Sequence, residues 1–318
     1  MRGPWTLVSL ESLGALRVRG RDAIAFLQGQ LSADVTRLSP GHSELAGYHN
    51  PQGRVLALLR LLALGSDEVL AILPRELTAP IASRLRGFIL RSKVTLEDAS
   101  DGWRFEGLIG PDTHAAAGVA AALAPAQQLP EAPSGVARIG PTLALRMGAA
   151  PARWLLATPS TAAPGGGAQG LESCARADPQ LWRRLAIEAG EPQIGGSTSG
   201  EFVAQMLNLD VLGAIDFDKG CYTGQEVIAR AHYRGRVKRR MQRFRTTAPA
   251  SLQPGEAGEL TDGRSFRIVD AVPLPDGGCE FLAVAPLAAG APSDAAGASG
   301  AVRRLSAAQL PLPYALPE

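Results

Sequence analysis

The sequence predicts an α+β fold that ends in a small antiparallel β-barrel, and three observations predict it. Strand-like and helix-like segments alternate without the regular spacing of βαβ units that a doubly wound sheet would need. From Lys238 onward the pattern changes to short strands separated by Gly/Pro turns. At 318 residues the chain is too long for one ordinary core and fits two or three domains. The change of pattern sets the expected division at a larger region, residues 1–237, and a barrel over 238–318.

The elements follow in order. Leu7–Leu10 and Ala15–Val18 read as short strands, and DAIAFLQGQLSADV places Ile24, Leu27 and Leu31 at helical spacing. Arg54–Leu64 is a near-continuous apolar strand with Val69–Leu73 as its hairpin partner. Pro80–Leu90 reads as a helix and Lys93–Glu97 as a strand. Trp103–Ile109, an Ala-rich helix from about Thr113 to Leu123, and strands near Thr142–Arg146 and Arg153–Ala157 repeat the mixed rhythm. DPQLWRRLAIEAGEP, residues 178–192, is a helix with Asp178 as N-cap, Pro179 in its first position and Gly190 as terminator. The stretches 159–170 and 288–300 lack the apolar content to offset ordering and read as surface loops. The barrel strands are expected at Met241–Thr246, Gly258–Leu260, Phe266–Ala271, Glu280–Val284 and Ala301–Leu305.

Composition excludes several classes. With 46% hydrophobic and 19% charged residues the chain is globular, and a net charge of +2 gives no global field toward nucleic acid or lipid. The N-terminal stretch has no unbroken apolar core of a signal peptide, and VLALLRLLALG at 55–65 is broken by Arg60 and too short to span a bilayer. No membrane partner is expected, and the expected location is the cytoplasm. Cys174, Cys221 and Cys279 are far apart and odd in number, which implies no disulfide framework. They offer no ligand spacing, and the four histidines form no metal pair, so no stably bound metal is expected.

The chemistry is local. RAHYRGRVKRRMQRFR, residues 230–245, holds eight Lys/Arg and no acid. It reads either as a solvated barrel face or as an anion site for phosphate, a polyglutamate tail or RNA. In DKGCYTGQEVIAR, Lys219 precedes Cys221 by two residues, Gly220 and Gly224 permit a tight turn, and a helix follows. Cys221 just ahead of a helix start, beside a cation, reads as a reactive thiol; a small core residue is the alternative. On the 178–192 helix, Glu188 could accept two hydrogen bonds from a 2-amino-4-oxo pterin edge and Trp182 could supply a stacking face, or both could be ordinary surface residues. There is no GxxxxGK[ST], GxGxxG or GxSxG motif, and GGSTSGE at 195–201 lacks the lysine of a phosphate loop.

DKGCYTGQEVIARAHYRG, preceded by SGEFVAQMLNLDVLGAIDFDKG, resembles the signature of the YgfZ-type folate-binding proteins. These are relatives of the aminomethyltransferase (T-protein) of the glycine cleavage system. FLQGQLSADVTRL, YHNPQGRVLALLRLL, LRGFILRSKVTLED, WRRLAIEAGEP and the closing PLPYALPE carry the resemblance through most of the chain. It implies a T-protein-like fold, two interleaved α+β units and a C-terminal β-barrel around a central folate pocket. It also implies a tetrahydrofolate-dependent role in assembling or repairing 4Fe–4S proteins. The partners so implied are folate, or a one-carbon derivative of tetrahydrofolate, and iron–sulfur proteins such as radical-SAM tRNA-modifying enzymes.

Residue by residue, Cys221 matches the family's motif cysteine, flanked by Lys219, Gly220, Tyr222, Gly224, Gln225 and Glu226, with Arg230 as the basic residue just after. The reactive set so implied is Cys221, Lys219 and Arg230. The folate-binding set is Trp182, Glu188, Tyr222, Gln225 and Glu226. EFVAQ carries Ala204 where the family pattern has proline, and Leu13 stands where some members have tryptophan. NPQGR, residues 50–54, has no aspartate to act as the catalytic acid of the transferase branch. Folate-dependent one-carbon transfer therefore ranks second, and a tRNA-binding module using residues 230–245 ranks third.

Overall fold

Two sheets pack together in the first part of the chain and a third rolls up at its end. The computed structural model describes residues 5–110, 129–148, 152–162, 171, 174–235, 237–287 and 303–317. The chain divides into two compact units: Met1–Ala46 with Leu59–Trp182, and Gly47–Leu58 with Arg183–Glu318. The helix expected from Thr113 to Leu123 and most of both expected loops lie outside the described residues.

The strands of the first part are β1 (Thr6–Ser9), β2 (Leu13–Arg19), β3 (Glu44–His49), β4 (Val55–Gly65), β5 (Glu68–Pro74), β6 (Thr95–Asp98), β7 (Trp103–Ile109), β8 (Val136–Ile139), β9 (Thr142–Arg146), β10 (Arg153–Pro159) and β11 (Ala175–Ala177). One sheet has the order β11-β1-β7-β10-β9-β8 and the other β3-β4-β5-β2-β6. The expected hairpin forms, with Arg60 opposite Ile72. Alternation along β10 explains its unbroken apolar run. Trp154 and Leu156 pack with Trp5, Leu7 and Leu108 on one face. Leu155 and Ala157 face Leu62, Leu70 and Ile72 of the other sheet. A strand covered on both faces needs no polar side, so period two disappears from its sequence.

Two helices differ from expectation. Helix α1 covers only Ala23–Gln28 and stops at Gly29, although Leu31 beyond it is still buried. Helix α2 spans Arg75–Arg86 rather than Pro80–Leu90. Its buried residues Leu77, Ile81 and Leu85 recur every four positions, which fixes the helix around them. That burial outweighs the proline inside it, while Leu90, 86% exposed, has nothing to pack against among the described residues. The helix approaches β2 at Gly14, where a Cβ would lie 2.5 Å from Ser100 Oγ and 2.8 Å from Thr78 Cγ2.

Helix α3 (Pro179–Glu188) begins and ends as its sequence predicts. Asp178 Oδ1 accepts the Gln180 N–H at 2.7 Å. At the other end Glu191 N–H donates to Ala186 O and Gly190 N–H to Ile187 O, a Schellman closure with Gly190 at φ +65°.

In the second unit the barrel strands are β12 (Arg239–Thr246), β13 (Ala257–Leu260), β14 (Ser265–Pro273), β15 (Cys279–Pro286), β16 (Arg304–Leu305) and β17 (Ala307–Leu310), and helix α4 (Gln225–Tyr233) precedes them. Their order is β16-β13-β14-β15-β12-β17. The two edge strands are consecutive in sequence with only Ser306 between them, so the sheet nearly closes on itself. The β13–β16 pair is parallel and the other neighbours are antiparallel. Phe244, Phe266 and Phe281 fill the interior, with ring centroids 5.4 and 6.1 Å apart.

Candidate functional site

Two of the sequence motifs meet backbone to backbone in the second unit. The NPQGR turn closes on itself: Asn50 Oδ1 accepts the N–H groups of Gln52 and Arg54, both at 3.0 Å, and Asn50 O accepts that of Gly53 at 2.9 Å. Gly53 has φ +71° and Gly224 has φ +84°, a region that side chains disfavour. A Cβ on Gly224 would lie 2.5 Å from Asn50 O and 3.0 Å from Gly53 Cα. One on Gly53 would lie 3.1 Å from Val227 Cβ. Both glycines are therefore required for the cysteine loop to rest on this turn. A Gly224→Ala variant is expected to lose about 1–3 kcal/mol through backbone strain and the clash. A shifted urea midpoint checks it, and an unchanged midpoint would contradict the contact.

The loop ends in a turn in which Tyr222 O accepts the Gln225 N–H at 3.2 Å, with Gly224 at φ +84° and ψ −2°. That is the third position of a type II turn, which favours glycine. Helix α4 then begins at Gln225 with Gly224 as its N-cap. Cys221 precedes the N-cap by three residues, in the loop just ahead of the helix start, as expected. Its side chain is exposed, whereas Cys279 is buried in the barrel core; all three cysteines are free thiols.

Next to the exposed cysteine the loop has a floor of two uncharged rings and one cation. Tyr222 is buried, with the Lys219 ammonium 5.2 Å from its ring centroid and the His49 ring 6.1 Å away. Burial, helped by the negative charge of Asp216, pushes the Tyr222 phenol up to about 12. Burial also pushes His49 down to about 3. Both rings are uncharged near neutral pH, and Lys219 is the cation of this floor. The Gln225 amide reaches Lys219 O at 3.5 Å, a long contact across the loop. On the far side of α4, Gln205 Nε2 donates to Ile228 O at 2.7 Å. Glu226 and Arg230 lie on the opposite, exposed face, which borders an open groove of about 660 Å³ lined by Glu226, Ala229, Arg230, Tyr233 and Arg234.

The basic run does not form one anion strip. Arg240 is 3% exposed and pairs with both oxygens of Asp210 at 2.9 and 2.8 Å. Arg243 pairs with Glu280, and Arg245 with Asp276 at 2.5 Å. Barrel closure brings these acids to the strand from elsewhere in the chain.

Glu188 is half-buried at the end of α3, and its Oε1 meets Arg184 at 2.9 Å and Arg243 at 4.0 Å. Trp182, on the same helix, is grouped with the first unit. Its indole lies against Gly107 of β7, where a Cβ would collide with the ring, and the Arg153 guanidinium is 5.1 Å from its centroid. The sequence signalled Gly224 and Cys221 but not the contact of Gly224 with Asn50 and Gly53, nor the stacking of Phe217 on His232 at 3.8 Å. Among the described residues no group of three or more His, Cys, Asp or Glu could hold a metal ion, and no helix is long and apolar enough to cross a membrane.

No family model matches the chain. It is similar to the tRNA-modifying protein YgfZ of Serratia proteamaculans, 34% identical over 281 residues, which cover 86% of this chain and 82% of that protein. The protein of the same name from Shigella sonnei is 34% identical over 291 residues, covering 87% and 84%. That of Escherichia coli O45:K1 is 34% identical over 288 residues, with the same coverage of 87% and 84%. Among solved structures, the glycine cleavage system aminomethyltransferase T from Bartonella henselae matches with a TM-score of 0.70 at 16% identity, over 90% of this chain and 79% of that one. The fold is therefore that of the T-protein, as the sequence predicts.

Proposed function

Because the chain belongs to the YgfZ family, we propose that it is a tetrahydrofolate-binding factor for the assembly or repair of iron–sulfur proteins. Cys221 is its reactive thiol. The relatives are named tRNA-modifying proteins, and 4Fe–4S enzymes that modify tRNA are the client class this reading implies. The observation that carries it is the exposed Cys221 on a loop whose backbone is seated on the NPQGR turn through Gly53 and Gly224. An exposed thiol, on a loop that is strained by a side chain at 224, fits presentation to a partner better than it fits stability.

The residues present fit a folate. The pyrimidine edge of a pterin offers N–H donors, and the half-buried Glu188 carboxylate is a matching acceptor. Its nearest arginine contacts, Arg184 and Arg243, are made through Oε1. Tyr222, kept protonated by burial, would present a neutral phenol, and Trp182 is the aromatic candidate that the family resemblance supplies. Gln225 and Lys219 hold the loop, and Glu226 and Arg230 border it on α4. When bound, tetrahydrofolate supplies a carrier for one-carbon units. The chain's own residues bind it, orient it and keep a thiol within reach of the client. An iron–sulfur cluster is cargo on this reading.

Calorimetric titration with tetrahydrofolate tests the cofactor. Saturable binding is expected, weakened about tenfold in Trp182→Ala by loss of the aromatic contact. No binding would contradict the proposal, and unchanged affinity in the variant would remove Trp182 from the site.

A further inference from the structure

Barrel closure neutralises Arg240, Arg243 and Arg245 of the basic run, and the remainder has a different character. Arg230, Arg234 and Lys238 are exposed, and among the described residues none has an acidic partner. Arg230 on α4 and Arg234 at its C-cap, with Tyr233 between them, line the open groove of about 660 Å³. The Tyr233 ring is 65% exposed. It is held edge-on to His232, at 4.7 Å between centroids, and to Phe217, at 6.2 Å, while His232 stacks on Phe217 at 3.8 Å. The ring is thus an exposed aromatic surface, fixed in place beside the cations of the groove.

We propose that the groove along α4 binds single-stranded RNA, with Arg230 and Arg234 on phosphates and Tyr233 stacked under a base. Unpaired cations tracking a groove beside a braced aromatic ring are the two elements that recognise single strands without sequence readout. Glu226, at the groove's end, is the one acid lining it and limits the track to the C-terminal part of the helix. An acidic protein segment would use the cations but has no need of an exposed ring fixed by two aromatic neighbours. This inference stands apart from the folate reading.

The test is fluorescence anisotropy with a labelled single-stranded RNA of about 12 nucleotides. Wild type should bind, with affinity falling about sevenfold between about 50 and 200 mM salt. In the Arg230→Gln, Arg234→Gln double variant the log–log salt slope should flatten by about 1.4. Tyr233→Ala should weaken binding about fivefold or more at an unchanged slope, and Tyr233→Phe should retain it. Arg245→Gln, whose charge is already paired with Asp276, should bind as wild type does. The proposal is overturned if the RNA does not bind, or if Arg245→Gln weakens it as much as the double variant. It is equally overturned if a polyglutamate peptide binds this face more tightly than the RNA, which would give the surface to a protein partner.

Discussion

An Asp210→Ala variant is expected to lose about 3–5 kcal/mol of stability, because it strands a buried charge. Arg240 is 3% exposed on β12, and its guanidinium meets both Asp210 oxygens at 2.9 and 2.8 Å. It also donates to Gln205 O at 3.1 Å, and the Gln205 amide in turn donates to Ile228 O of α4. The pair therefore connects the barrel strand to the helix that follows the cysteine loop. Urea unfolding of the variant should show the loss, and Cys221 should be alkylated at a changed rate as α4 loosens. Replacing Arg240 as well, in Asp210→Ala with Arg240→Met, should recover much of the stability, since two apolar side chains leave no unpaired charge. A loss below about 1 kcal/mol in the single variant would mean that Arg240 reaches water.

Local signals in the sequence carried far in this chain, and they stopped where distant residues decide. The β4–β5 hairpin, the capped helix α3 and the change to barrel strands after Lys238 were all legible, because each rests on periodicity or on turn residues. Helix α2 was misplaced because Pro80 looks like a beginning, whereas Leu77 and Ile81 on either side of it are both buried. The β3 and β17 strands had no clear pattern of their own; β17 exists because the barrel needs a neighbour for β12.

The site divides along the same line. Cys221 and Gly224 stood out as residue types in suggestive places, but the seating of Gly224 on Asn50 and Gly53 is a long-range fact. The basic run 230–245 looked uniform because Asp210, Glu280 and Asp276 lie outside it. Only the fold separates the arginines that are paired from those that are exposed.

The most direct test of the functional proposal is a Cys221→Ser exchange in cells that lack their own family member, with the activity of a 4Fe–4S tRNA-modifying enzyme as the readout. Serine keeps the size of the side chain and leaves Gly224 and the NPQGR turn untouched, so thermal stability and tetrahydrofolate affinity should match wild type. What it removes is the thiolate, the form in which cysteine acts as nucleophile or ligand. Wild type and Cys174→Ser should restore the enzyme's activity, and Cys221→Ser should leave it at least about tenfold lower, near the level without the protein. Full restoration by Cys221→Ser would contradict the assigned role of the exposed thiol.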